Sequence, residues 1–332
     1  MIDQENLNKV IEYINDAYAV VGLSPDISLD LCQYALDISK QFSFRKGIGA
    51  AYLHMGIAYY HKNMYRKALE LYNQALDILN PAEDAGFIGM AYNNMGILFS
   101  RWKKEKESQV YFLKSLEGVD YRLNLHMHKS AVISLNNVAQ SYLRQGEEEL
   151  AAQYYEQAYA LSMTVDDYYC KGLTLNNIGV FLNHVEEYDR AIKYLEQSIQ
   201  IFVAGELFRE TIDSLNNIAE IYFKKQDYDK AVENLNQAID KGNKLNSYYE
   251  ICHSYVIFSE IYANQSDLNN RDHYIQKAFD IASDKGFTDK LLTVCDKLIE
   301  YSKSDYNYEK LKVYTDLFEK INQEIDQINN SL

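Results

Sequence analysis

Asparagine is one of the weaker helix formers, yet this chain repeats it in adjacent pairs inside apolar stretches with helical spacing. They are AYNNMGILF at 91–99, SLNNVAQSY at 134–142, TLNNIGVFL at 174–182 and SLNNIAEIY at 214–222. A primary amide both donates and accepts hydrogen bonds. At fixed spacing such amides can bond one another across packed helices, or grip the backbone of an extended peptide. A second set keeps the same register: His61, Arg101, Arg144, His184, Lys224 and Asn264, a cationic and titratable column in an otherwise acidic protein. It suits the carboxylates of a peptide, and equally the negative end of a helix dipole. In a third column Gln140, Glu220 and Glu260 are polar where Ile57, Ile97 and Val180 are apolar.

Signals for catalysis or metal binding are weak. No GxSxG, HExxH, GxxxxGK[ST] or GxGxxG occurs, and carboxylates such as Asp166 and Asp167 have no partner at a defined spacing. HMH at 126–128 offers two imidazoles without a third ligand, and reads as a solvated loop. His54 and His61, seven apart on one helix face, read as polar lining. Cys32, Cys170, Cys252 and Cys295 are scattered, with no CxxC pair, so neither a zinc site nor a disulfide framework is indicated. The expectation is a chain without enzymatic activity, cofactor or metal.

The elements that must carry these side chains are helices. Only two prolines occur in 332 residues, alternating strand patterns are missing, and apolar residues fall at i, i+3, i+4 and i+7. A period is present as well. Taking the small residue after each of the four doublets as an anchor, with its counterparts at Gly56 and Ser259, the positions Gly56, Gly96, Ala139, Gly179, Ala219 and Ser259 are 40, 43, 40, 40 and 40 residues apart. Twelve positions on come Ala68, Ser108, Ala151, Ala191, Ala231 and Arg271, and seven beyond those Ala75, Ser115, Ala158, Ser198, Ala238 and Ala278. Small residues let two helices approach, large residues three after each anchor fill the space beside them, and polar breaks such as KKQDYD at 224–229 turn the chain. Each unit is therefore a helical hairpin, about eight of them along the chain.

Charge narrows the partners. A formal net charge of −15 disfavours nucleic acid and anionic membrane surfaces. The N-terminus lacks a basic segment followed by an apolar run, and no window approaches 18 uncharged apolar residues. A cytoplasmic location is expected.

The pattern resembles the tetratricopeptide repeat. MGIAYYHKNMYRKALELYNQAL, residues 55–76, is a close match, and the resemblance covers roughly residues 15–320. The period near 40 exceeds the family's usual 34, which implies longer helices, and the proline that often closes a repeat is missing. The LNNI version is similar to repeats of bacterial regulatory proteins, including peptide-pheromone receptors, and to kinesin light chains. The resemblance implies an all-α, right-handed superhelical solenoid of antiparallel hairpins. It would run as one domain over 1–332: a degenerate N-terminal repeat or cap at 1–45, six clear repeats at 46–285, and a degenerate repeat with a final helix at 286–332. It further implies that one side of each first helix lines a concave groove holding an extended peptide or protein segment. On that reading Asn93, Asn136, Asn176 and Asn216, the first of each pair, form a row of amides on the groove wall with Asn183, Gln140 and Glu220. Arg101, Arg144 and Lys224 supply cations there. The second asparagines, Asn94, Asn137, Asn177 and Asn217, fall nearer the seams between hairpins.

Leu311, Tyr314, Phe318, Ile321, Ile325, Ile328 and Leu332 step by 3 and 4, a heptad seam. It reads either as a capping helix or as a stalk through which Ile321, Ile325, Ile328 and Leu332 pair two copies. Three functions remain open: a peptide-binding bacterial signalling module, the sensory and dimerising part of a larger signalling enzyme or transcription regulator, and an assembly scaffold using its convex surface.

Overall fold

In the computed structural model residues 2–22, 24–81, 83–102, 104–117 and 128–330 are described. Among them lie sixteen helices. The first eight are α1 (Gln4–Val20), α2 (Pro25–Gln41), α3 (Arg45–His61), α4 (Tyr65–Ile78), α5 (Ala85–Arg101), α6 (Glu105–Lys114), α7 (His128–Arg144) and α8 (Glu148–Thr164). The rest are α9 (Tyr168–His184), α10 (Tyr188–Ala204), α11 (Glu210–Lys224), α12 (Tyr228–Leu245), α13 (Tyr248–Asn264), α14 (Leu268–Lys285), α15 (Thr288–Ser304) and α16 (Tyr308–Asn330). They pair as antiparallel hairpins, α1 with α2 through α15 with α16, in two compact units of four hairpins that meet in sequence at Val165 and Asp166.

The turns explain how hairpins close without proline. Asn63, Gly146, Glu186, Gln226, Ser266 and Tyr306, each seven residues after its anchor or that position's counterpart, take positive φ. One left-handed residue ends a helix by letting the next amides reach back to its last carbonyls. Asp227 N donates to Tyr222 O at 2.9 Å in this way, and the Asp227 carboxylate then accepts the amide of Lys230 to start α12. Asp267 does the same for α14, accepting from Asn270 N at 3.1 Å.

The small columns lie where helices press together. Ala68, Ala151, Ala191, Ala231 and Ala278 are fully buried. A Cβ on Gly96 would sit 2.5 Å from the Phe112 ring, so any larger residue there would have to displace that ring. Beside these contacts aromatic rings stack, as in Phe99 on Tyr111 at 4.9 Å and Tyr142 on Tyr154 at 5.4 Å. Arg271 interrupts the small column. Its guanidinium is buried, lies over the Tyr301 ring, and forks onto Asp305 in the turn after α15.

Within each unit the first helices of successive hairpins touch one another, α1 with α3, α5 and α7 in turn, and α9 with α11, α13 and α15 in turn. Successive second helices scarcely meet. The first-helix layer is thus the tighter, inner one.

Candidate functional site

On a first helix, positions six and two before the anchor and one and five after it share a stripe, because steps of 4, 3 and 4 residues return to the same face. In the second unit this stripe is the inner wall. On α11 it reads Asp213, Asn217, Glu220 and Lys224, all half-buried or exposed, and on α13 it begins with His253 and Glu260 flanking the buried Ile257. Most charges on it are strapped across to the neighbouring helix. Glu220 lies 3.1 Å from His253 Nε2, Glu260 2.6 Å from Lys297, and Glu250 3.4 Å from Arg209.

Asp213 is the exception. Among the described residues it forms no ion pair; its side chain is exposed, with Glu250, Lys290 and His253 as its charged neighbours. Desolvation by the surrounding protein, and then the neighbouring Glu250 carboxylate, push its pKa up, against a smaller opposite pull from Lys290 and His253.

The asparagine columns sit the other way round from the sequence expectation. The leading amides Asn93, Asn136 and Asn216 are 8%, 1% and 0% exposed and belong to the seams, so the expected open row of first asparagines is corrected. Asn176 is half-buried and equally engaged. Asn93 Oδ1 accepts Asn137 Nδ2 at 2.8 Å, Asn176 Oδ1 accepts Asn217 Nδ2 at 3.1 Å and Ser214 Oγ at 3.0 Å, and Asn216 Oδ1 accepts Ser254 Oγ at 2.7 Å. Asn136 Nδ2 returns to Val132 O at 2.8 Å. The second asparagines, assigned to the seams, are the half-exposed ones on the wall stripe.

The cationic column reaches backwards by one hairpin. Arg101 donates to the Tyr60 hydroxyl, Arg144 to Ser100 Oγ, and Lys224 to Asn183 Oδ1 at 3.1 Å. Each joins the residue five after one anchor to the residue four after the preceding one. Asn183 is 7% exposed beneath that bond, which corrects its expected place on an open wall, and Gln140 accepts from Arg144 at 3.1 Å. His54 is buried edge-on to Tyr18, and burial lowers its pKa to about 4, so it is neutral polar packing and not groove lining. The four cysteines are buried and unlinked. Ile321 is 6% exposed in the second unit and so is not a free dimer contact. The side chains of Ile325 and Ile328, Leu332, and the HMH histidine at 126 lie outside the described residues, as does the side chain of His128. Among the described residues no group of three or more His, Cys, Asp or Glu could hold a metal, and no helix is long and apolar enough to cross a membrane.

Sequence reasoning missed Asp213, His253 and the outward second asparagines. A signal was present: serine stands two residues before the doublets at 134 and 214 and recurs at 254, and it is this serine that meets the preceding hairpin's first asparagine.

Profiles of the tetratricopeptide repeat match residues 48–120 and 172–241, and a second such profile matches 134–167, together more than half of the chain. A search among curated proteins by sequence gives no match. Solved structures share the fold. A Rap protein complexed with Competence and Sporulation Factor is 16% identical with a TM-score of 0.65, over 97% of this chain and 99% of that one. The apo quorum sensor NprR from B. thuringiensis is 17% identical with a TM-score of 0.66, over 97% and 89%. Aspartyl phosphate phosphatase F from Bacillus subtilis is 19% identical with a TM-score of 0.61, over 88% and 75%.

Proposed function

The chain belongs to the tetratricopeptide repeat family, and from that premise we propose that it is a non-enzymatic binding module of bacterial cytoplasmic regulation, holding an extended peptide or protein segment along the inner wall of its second unit. The observation that carries this reading is Asp213: an acid with no ion pair among the described residues, on a wall where Glu220, Glu250 and Glu260 each meet a basic side chain from a neighbouring hairpin. A carboxylate whose charge is disfavoured by a neighbouring acid is a contact that a basic, donor-bearing guest would relieve. The guest is accordingly a segment presenting N–H groups and a basic side chain. The likeness to a sporulation-factor-bound Rap protein and to a quorum sensor supports a regulatory setting.

The test is affinity selection of a randomised peptide library on the purified chain, with the selected peptide then measured against Asp213→Lys and Asp213→Asn. Selected sequences should be enriched in Lys or Arg. Asp213→Lys should weaken binding by tenfold or more, on the order of 1.4 kcal/mol, with the melting temperature held. A selection without binders, or binding indifferent to Asp213→Lys, would end this proposal.

A further inference from the structure

The wall amides Asn137 and Asn217 do not lie in arbitrary orientations. Each donates its Nδ2 into the seam, to Asn93 Oδ1 at 2.8 Å and to Asn176 Oδ1 at 3.1 Å respectively. Each acceptor is itself buried or half-buried and is approached by a serine of the same neighbouring helix, Ser134 Oγ at 3.5 Å and Ser214 Oγ at 3.0 Å. An amide end has two unlike sides, one that donates and one that accepts. Turning the nitrogen of Asn217 into the seam turns its oxygen out. Among the described residues no group bonds the Oδ1 of Asn137 or of Asn217. Reversing either amide would set two oxygens face to face in a seam where an unmet polar contact is costly.

We infer that Asn93 and Asn176 are positioning residues that hold Asn137 and Asn217 with their carbonyl oxygens outward, so that each unit presents a fixed acceptor to its groove and selects an N–H of the guest at that point. The inference rests on the groove-binding reading above and adds to it the polarity of the contact. Asp213 stands one turn before Asn217 on the same stripe, so in the second unit two acceptors are presented in line. The device stops at the next seam. There Asn216 still accepts from Ser254 at 2.7 Å, but the wall position is Ile257, which is buried.

Two measurements test it. In the free protein, NMR of the Asn217 side-chain amide should show one of its two hydrogens exchanging with solvent about tenfold more slowly than the other. Asn176→Leu should bring the two together, and Asn176→Asp, which keeps the acceptor, should preserve the difference. With the library-selected peptide as probe, methylating its backbone nitrogens one at a time should reveal a position where wild type loses about tenfold in affinity. That loss should fade in Asn176→Leu and return in Asn176→Asp. Equal exchange of both hydrogens in wild type, or unaltered discrimination by Asn176→Leu, overturns the inference. A library that yields no binder removes the groove reading beneath it, while the exchange measurement still decides whether the positioning is real.

Discussion

The guanidinium of Arg271 lies 3.0 and 2.5 Å from the two carboxylate oxygens of Asp305, joining the first turn of α14 to the turn between α15 and α16. Arg271 occupies a position that is alanine or serine in the other repeats, and only 4% of its side chain is exposed. Breaking a buried pair from one side leaves an uncompensated charge. Asp272, 2.7 Å away, remains as a partial partner, so Asp305→Ala should cost about 2–3 kcal/mol, below the usual range for a lone buried pair. Adding Arg271→Ala to Asp305→Ala should recover part of the loss. Urea unfolding of the two variants measures both.

The same pair sets an acid limit. The bond from Arg271 holds the Asp305 carboxyl below the usual carboxylate range. A depressed folded-state pKa stabilises the fold at every pH above the unfolded value near 3.9, and that contribution disappears as pH falls through the folded value. Thermal melts from pH 6 to pH 2.5 should therefore show wild type losing stability more steeply below about pH 4 than Asp305→Asn.

Asp213 carries the opposite sign. Its pKa is raised, so ionising it opposes folding; its contribution is most favourable at low pH and is lost as pH rises from near 3.9 through the raised value. Asp213→Asn should melt higher than wild type at pH 7 and no higher at pH 3. Because the carboxylate is open to water, the gain is bounded at about 0.5 kcal/mol.

Gly179 lies at a close approach of α9 and α10. A Cβ there would stand 2.6 Å from Leu195 and 3.2 Å from the carbonyl of Ala191. The Leu195 side chain can yield and the backbone carbonyl cannot, so Gly179→Ala should cost about 1–3 kcal/mol. Chemical denaturation gives the value, and a change below about 0.3 kcal/mol would mean the helices separate freely.

Tyr306 closes the last hairpin at φ 54 with its side chain 79% exposed. A left-handed backbone is strained for tyrosine and tolerated by asparagine. Tyr306→Asn should stabilise the second unit by about 0.5 kcal/mol or more, read as a rise in melting temperature.

Much of the fold was legible because its cause is local. Helical periodicity, the forty-residue period and the columns of alanine around Gly56, Gly96 and Gly179 follow from which side chains let two rods approach, and that is written in residue size and spacing alone. Arg271 shows the limit: its position in the small column was readable, but not that Asp305, thirty-four residues away, would neutralise it. The asparagine doublets show it more sharply. Adjacent helical residues differ by about 100° in direction, so the sequence determined that one of each pair faces the groove and the other does not. Which one does so depends on the side from which the next hairpin packs. The tertiary structure placed Asn93, Asn136, Asn176 and Asn216 in the seams, turned Asn137 and Asn217 outward, and set Asp213 beside Glu250 without an ion pair among the described residues. Those outcomes arise from contacts between hairpins roughly forty residues apart, where neither composition nor local period carries the information.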